Sequence, residues 1–303
     1  MKVLLIDQLS PRGHLKYAQF WVDTLNKLGI DYDIVAKKNF LDNLENIRKK
    51  IEIPDEIYVN IENKNILIRE LALLKVLKYI KKNIDLTKYE KIVFLSFENI
   101  SLFLTPIFHK SNIYLILHNN LRRINERIIY YIIKYLSKKN TLICLDYFIK
   151  AKLKLLDIKT KLVVHPIFKI KEEKKHEKKE IVIFSPSIES VDEELLKKIF
   201  EDTKIKDILK HKNIKLILRS KKMKFHSEYL DIVNEYLEKE SYNRYLQKAD
   251  IVFLPYKKDF NLRISGVLLE SFYLKKSLII PKYNDLKYFL QFKEEGIVGF
   301  NDT

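Results

Sequence analysis

The feature that most constrains this chain is a succession of short, unbroken apolar runs separated by amphipathic stretches. "KVLLI", "DYDIVA", "EIYVN", "KIVFLS", "NIYLIL", "TLICL" and "KLVVH" follow one another through the first half. Continuous runs of this length belong to strands buried on both faces. Helices between most of them predict a parallel sheet covered on both sides. "HLKYAQFWVDTLNKLG" places Leu15, Ala18, Phe20, Val22 and Leu25 at apolar positions and closes on Gly29 as a C-cap. Residues 66 to 82 form another long helix.

The pattern stops at "FKIKEEKKHEKKE", which is almost wholly charged and has no apolar face. Such a stretch reads as an exposed interdomain linker. The alternation then restarts: "IVIFS", a helix over 191 to 202, "IKLILRS", a helix over 226 to 238, "DIVFLP", a helix over 265 to 274, and "SLIIP". The organisation expected is a first α/β domain over 1–168, a linker over 169–180 and a second, smaller α/β domain over 181–303.

Composition narrows the function classes. Of 303 residues, 47% are hydrophobic, enough for a large core. Cys144 is the one cysteine and sits in the apolar run "TLICLDY", so it is expected to fill core. "MKVLLIDQLS" is too short an apolar stretch for a signal-peptide core, and no segment approaches eighteen uninterrupted apolar residues. Together these favour a cytoplasmic protein. The 57 Lys and Arg against 40 Asp and Glu leave a net charge of +17, which points to an anionic partner. No helix-turn-helix, RRM or zinc-finger signature and no zinc spacing occurs, so nucleic acid is not expected as a partner.

In open parallel sheets, ligands bind beyond the carboxyl ends of the strands. Five segments qualify. "DQLSPRGHLKY" makes a tight turn at Pro11, Arg12 and Gly13, with His14 starting a helix beside a cation. It lacks the G-K-[ST] ending of a P-loop, and a plain polar turn is its other reading. "LILHNN" brings His118 to the end of a strand. "LRSKK" groups Arg219, Lys221 and Lys222 after another strand, either for phosphates or as a solvated edge. "DFNLRISGVLLESF" puts Ser265 and Gly266 at a helix entrance, where free N–H groups and the dipole favour an anion. Glu270 lies four residues after Gly266 on the same helical face, and a carboxylate there suits a vicinal diol such as a ribose presents. Arg263 adds a cation nearby. Lastly, "LRRINERIIYYIIKYLSKK" combines six cations with Ile, Tyr and Leu, a pattern suited to anionic lipid or to the surface of a basic protein. The D-x-D of Asp31 and Asp33 begins a strand rather than ending one, so it is not read as a metal site.

These residues resemble the two-domain GT-B glycosyltransferases of the glycosyltransferase family 4, or group 1, type. The likeness runs through "SPRGHLKYAQFWVDTLNKLG" and "LILHNN" and is most specific in "YLQKADIVFLPYKKDFNLRISGVLLESFYLKKSLIIPK". It implies two Rossmann-like domains facing each other across a cleft, with a nucleotide-sugar donor between them and no metal or other cofactor. Ser265 and Gly266 would then face the diphosphate, Glu270 the ribose and His118 the transferred sugar. The first loop, Arg12, Gly13 and His14, would face a lipid-linked or polysaccharide acceptor. The resemblance also implies retention of anomeric configuration and a role in bacterial cell-surface glycan synthesis on the inner face of the membrane. Three departures stand out. Leu262 occupies the place of the family's first Glu. "IFSPSIESVDE" lacks the usual Arg/Lys pair, leaving diphosphate neutralisation to Arg219, Lys221 or Arg263. The chain also stops at "GIVGFNDT", where family members continue into further helices. The alternative reading is a non-catalytic GT-B-fold subunit that binds a partner glycosyltransferase or glycan.

Overall fold

The computed structural model describes residues 1–303 except 60, 62–64, 169–179, 189, 236 and 302–303, with the side chains of Arg12 and Lys239 also left out. The chain divides into two compact units, Met1–Pro166 and Ile167–Thr303. Most of the charged stretch expected to link two domains lies outside the described residues.

The N-terminal unit is built on β1 (Lys2–Asp7), β2 (Asp31–Lys37), β3 (Lys50–Ile53), β4 (Lys91–Ser96), β5 (Ile113–Ile116), β6 (Thr141–Cys144) and β7 (Lys161–Leu162). They form one sheet in the order β3-β2-β1-β4-β5-β6-β7, with every pair parallel. The order reverses direction between β1 and β4, so the loops after these strands flank the switch point where ligands of such sheets bind. The apolar runs are central: Leu4, Leu5, Ile6, Ile34, Phe94 and Leu115 have no exposed surface. Helices α1 (Leu15–Lys27), α2 (Lys38–Asp42), α3 (Ile66–Asn83), α4 (Asn99–Phe103), α5 (Arg127–Lys139) and α6 (Tyr147–Leu155) connect the strands. Gly29, just beyond α1, has φ 65°, the left-handed conformation that ends a helix at little cost to glycine. Cys144 is buried, and burial raises its thiol pKa, as a core residue requires.

The C-terminal unit repeats the plan with β8 (Ile181–Phe184), β9 (Ile214–Arg219), β10 (Phe225–His226), β11 (Leu230–Val233), β12 (Ile251–Phe253), β13 (Ser277–Pro281) and β14 (Ile297–Phe300), in the order β10-β11-β9-β8-β12-β13-β14. Only β10 and β11 pair antiparallel. Helices α7 (Glu193–Glu201), α8 (Thr203–His211), α9 (Lys239–Lys248) and α10 (Gly266–Tyr273) cover it. Here the switch lies between β8 and β12, so the segment from β12 to α10 is the loop to inspect.

Several local expectations are corrected. "EIYVN" is not a strand: Asp55–Tyr58 is a short 3-10 turn after Pro54, and the third strand is "KIEI" just before it. Proline lacks the N–H that would continue the ladder. "KLVVH" gives only the two-residue β7, with Val163 and Val164 already solvent-exposed. The helix expected over 226–238 is instead the hairpin of β10 and β11. Leu230 and Ile232 are buried while Asp231 and Val233 are half-buried, a period of two and not of 3.6. The helix expected over 191–202 is α7, and a second helix not expected from the sequence, α8, follows it, capped by the Asp202 carboxylate through the N–H groups of Lys204 and Ile205. The strand β14 was not foreseen.

Candidate functional site

At the switch point of the N-terminal unit, the turn after β1 is tied down from several sides. Asp7, fully buried, accepts from the Ser10 N–H at 2.7 Å and from the Ser96 hydroxyl at the end of β4. Gln8 reaches the carbonyl of Leu73 and the hydroxyl of Ser101, and its own carbonyl accepts from the Glu98 N–H. This holds the 3-10 turn Arg12–His14 at the entrance of α1. The Arg12 side chain lies outside the described residues. Gly13 has open space where a Cβ would stand.

His14 and His118 meet here. Their rings are 4.6 Å apart, and the Tyr17 ring stands edge-on to His118 at 4.6 Å. His165 packs on Tyr17 at 5.3 Å. His14 Nδ1 is 3.8 Å from Asp7 Oδ2, and neither atom has a hydrogen-bond partner among the described residues. The buried Nε2 of His118 has none either. Burial, with His14 and His165 beside it, holds the His118 pKa well below its ordinary value, so the ring is neutral at pH 7. Burial also pushes the Tyr17 phenol up to about 12. An acidic pair also occurs in this unit: Glu70 of α3 is pushed up to about 8 by burial and by the charge of Glu98. Sequence reasoning singled out His14 and His118 but missed Asp7, Tyr17 and His165. Asp7, His14 and Tyr17 lie in one stretch from the end of β1 into α1, but His118 and His165 come from two distant loops that no local spacing joins to it.

In the C-terminal unit, Ser265 is the N-cap of α10: its Oγ accepts from the Leu268 N–H at 3.1 Å. Tyr256 bonds the same Oγ at 2.9 Å and also engages Ser187. Gly266 opens the helix. Its φ is not left-handed, and an added Cβ would meet nothing within 4 Å. Glu270, one turn on, is 6% exposed and accepts from the Tyr242 phenol at 2.7 Å. Arg263 stacks on Phe260 at 4.8 Å and reaches Ser190 Oγ at 3.3 Å. Leu262 adopts φ 52°, unusual for a branched residue, with its N–H held at 2.6 Å by buried Asp285. A constrained backbone thus precedes the helix entrance.

Arg219 is placed differently from its expected phosphate role. It is 6% exposed and donates to the carbonyls of Pro186 at 2.9 Å and Glu235 at 3.1 Å. Its charge acts on Tyr242 instead. Lys221 follows it on the surface, its N–H held by Glu193. Of the residues singled out from the sequence, Arg263, Ser265 and Gly266 lie at or just before the start of α10, and Glu270 lies one turn into it. Sequence reasoning missed Tyr242 and Tyr256, which bind two of them.

No group of three or more His, Cys, Asp or Glu suited to a metal occurs among the described residues. Asp33 of the D-x-D is buried, with Lys2 Nζ at 3.3 Å, Lys49 Nζ at 3.6 Å and the Tyr89 hydroxyl at 2.5 Å. Among the described residues no helix is long and apolar enough to cross a membrane.

No family model and no curated protein matches the sequence. Solved structures do match the fold. A glycosyltransferase from Rickettsia africae ESF-5 is 14% identical with a TM-score of 0.56, over 99% of this chain and 83% of that one. The spinosyn rhamnosyltransferase SpnG, complexed with thymidine diphosphate, is 10% identical with a TM-score of 0.51, over 99% of this chain and 86% of that one. A UDP-N-acetylglucosamine 2-epimerase from Listeria monocytogenes, described as putative, is 12% identical with a TM-score of 0.57, over 92% of this chain and 78% of that one. The fold is therefore the GT-B type, with two Rossmann-like units. Fold at such identities does not fix the reaction, and an epimerase stands beside the transferases.

Proposed function

We propose that the protein is a glycosyltransferase that takes a sugar from a nucleoside-diphosphate donor. The observation that carries this reading is Gly266. The backbone does not need glycine there, since φ is ordinary and the space for a Cβ is empty. Gly266 is the first residue of α10, whose opening turn carries backbone N–H groups and the positive end of the helix dipole, with Ser265 Oγ already capping the Leu268 N–H. A diphosphate approaching the helix entrance accounts for the glycine. Arg263 supplies positive charge, and Glu270 suits the ribose diol. The N-terminal unit, with His14 and His118, would serve the acceptor and the transferred group. Neutralising the leaving diphosphate as its charge develops would supply most of the catalysis, without a metal. The finer assignments are a lipid-linked or polysaccharide acceptor, bacterial surface glycan synthesis, a cytoplasmic location and retention of configuration. They rest on the resemblance of the donor-site segment.

The test is Gly266→Ala. It is expected to raise stability by about 0.4–1 kcal/mol, because alanine has less unfolded-state entropy to lose. It is expected to weaken binding of UDP, GDP, CDP or ADP, whichever raises the melting temperature of the wild type. A wild type that none of these stabilises overturns the reading, as does a variant with unchanged affinity.

One observation favours inversion as a second reading. With Asp7 beside it, His14 can act as a general base. The acceptor hydroxyl would lose its proton to the imidazole as its oxygen bonds to the anomeric carbon, and the diphosphate would leave with the C–O electron pair. The anomeric coupling constant of the product, read by NMR, separates inversion from retention.

A peripheral place on anionic membrane is proposed for α5. Ile128 is 71% and Tyr131 54% exposed, with the Arg127 guanidinium 5.8 Å from the Tyr131 ring centre and Lys139 5.9 Å from that of Tyr135. Aliphatic residues beside tyrosines and cations suit the lipid interface. Flotation with phosphatidylglycerol vesicles should recover the protein and should weaken with salt, since screening acts over about 10 Å at 0.1 M. Equal recovery on phosphatidylcholine vesicles would remove this surface from consideration.

A further inference from the structure

We propose that Tyr242 is a positioning residue that sets the orientation of Glu270, and thereby gives the site its preference for a ribose over a sugar without the diol. This inference rests on the nucleoside-diphosphate reading above.

The geometry is specific. Tyr242 stands on α9 and Glu270 on α10, and the phenol donates to Oε2 at 2.7 Å. A glutamate on a helix ordinarily has three rotatable side-chain bonds and no fixed carboxylate plane. A diol recognised by two hydrogen bonds needs that plane fixed. A carboxylate has about four acceptor positions, and the phenol takes one of them. The phenol is a permanent donor: burial, and then the charge of Glu270, raise its pKa well above the ordinary value. Arg219, its guanidinium held by the Pro186 and Glu235 carbonyls, is close enough for its positive charge to act on Tyr242 in the opposite sense. A neighbouring pair is built in a similar way, with buried Tyr256 on Ser265 Oγ at 2.9 Å. Two buried phenols therefore hold two polar side chains of one helix.

The experiment compares Tyr242→Phe with the wild type against two probes, a ribonucleoside diphosphate and its 2′,3′-dideoxy form. UDP, GDP, CDP and ADP are each used with their dideoxy counterparts, and affinities are read by calorimetry. The wild type is expected to prefer the ribo form roughly tenfold or more, the scale of hydrogen bonds to a charged group. In Tyr242→Phe this preference should fall to about twofold or less, while the dideoxy affinity stays within about twofold of the wild type. Equal weakening of both probes would mean that the phenol only supports the fold, and it overturns the proposal. An undiminished preference overturns it too. A wild type that binds both probes equally removes the ribose role of Glu270. A wild type that binds neither removes the nucleotide reading itself. Near-UV circular dichroism of the variant shows whether the ring remains packed.

Discussion

His118→Ala is expected to lower sugar transfer roughly a hundredfold, the usual loss for a positioned catalytic group. That corresponds to about 2.7 kcal/mol of barrier. The imidazole lies two residues beyond its strand, beside His14, Tyr17 and His165, with its Nε2 buried and lacking a partner among the described residues. A buried ring nitrogen left unbonded costs free energy, so the arrangement makes sense if a ligand hydroxyl completes it. The ring is neutral, because burial and the neighbouring histidines hold its pKa well below 6.5. In the role proposed for it, it would act as a hydrogen-bonding group and not as a cation. Nucleoside-diphosphate binding should be unchanged in the variant, since the residues proposed to bind the donor belong to the other unit. Unchanged turnover would show that His118 only packs.

The same depressed pKa has a consequence for stability. The unfolded histidine takes up a proton near pH 6.5, whereas the folded one resists until a lower pH. The unfolded state thus binds more protons across that window, and stability falls as pH falls through it. The groups facing the ring are His14, His165, Tyr17 and, through His14, Asp7. Melting temperatures of the wild type should drop between pH 7.5 and 5.5. His118→Ala should drop less, which separates its electrostatic effect from lost packing.

How much was legible in the sequence depends on whether the signal was local. Strands such as "KVLLI" and "KIVFLS" announce themselves because both faces are buried and every position is apolar. "KIEI" and "LDIV" did not, because each is four residues long and carries charged residues, so in a short window it looks like loop or helix. The helix entrance at Ser265 was legible because capping and the open glycine lie within one turn. Tyr242 was not, since it stands 28 residues from Glu270 and only the packing of α9 on the sheet brings them together. Arg219 shows another limit. Sequence reveals a cation after a strand but not whether its five donors turn outward to a ligand or inward to carbonyls. Glu270 belongs with it: read alone on a helix, a glutamate suggests a solvated surface, yet this one is buried.

That burial shapes the second large effect. Glu270→Ala is expected to weaken nucleoside-diphosphate binding by about 1.5–3 kcal/mol, the scale of hydrogen bonds to a charged group. This is roughly a tenfold to hundredfold rise in Kd. The variant will not be silent in folding, because it leaves the Tyr242 phenol buried without its acceptor, at a cost of about 1–3 kcal/mol. A loss of affinity in Glu270→Ala alone is therefore ambiguous between a missing ribose contact and a disturbed helix entrance. Glu270→Gln resolves it. The amide keeps the shape, and its carbonyl oxygen still accepts from Tyr242, but it removes the charge and one acceptor from the diol. Stability should then stay near that of the wild type while affinity falls. Affinity for inorganic pyrophosphate, which has no ribose, should be the same in the wild type and in Glu270→Gln. If pyrophosphate and the nucleoside diphosphate weaken together, Glu270 acts through the helix entrance and not on the ribose. If neither weakens, the segment from β12 to α10 is an ordinary strand-to-helix connection.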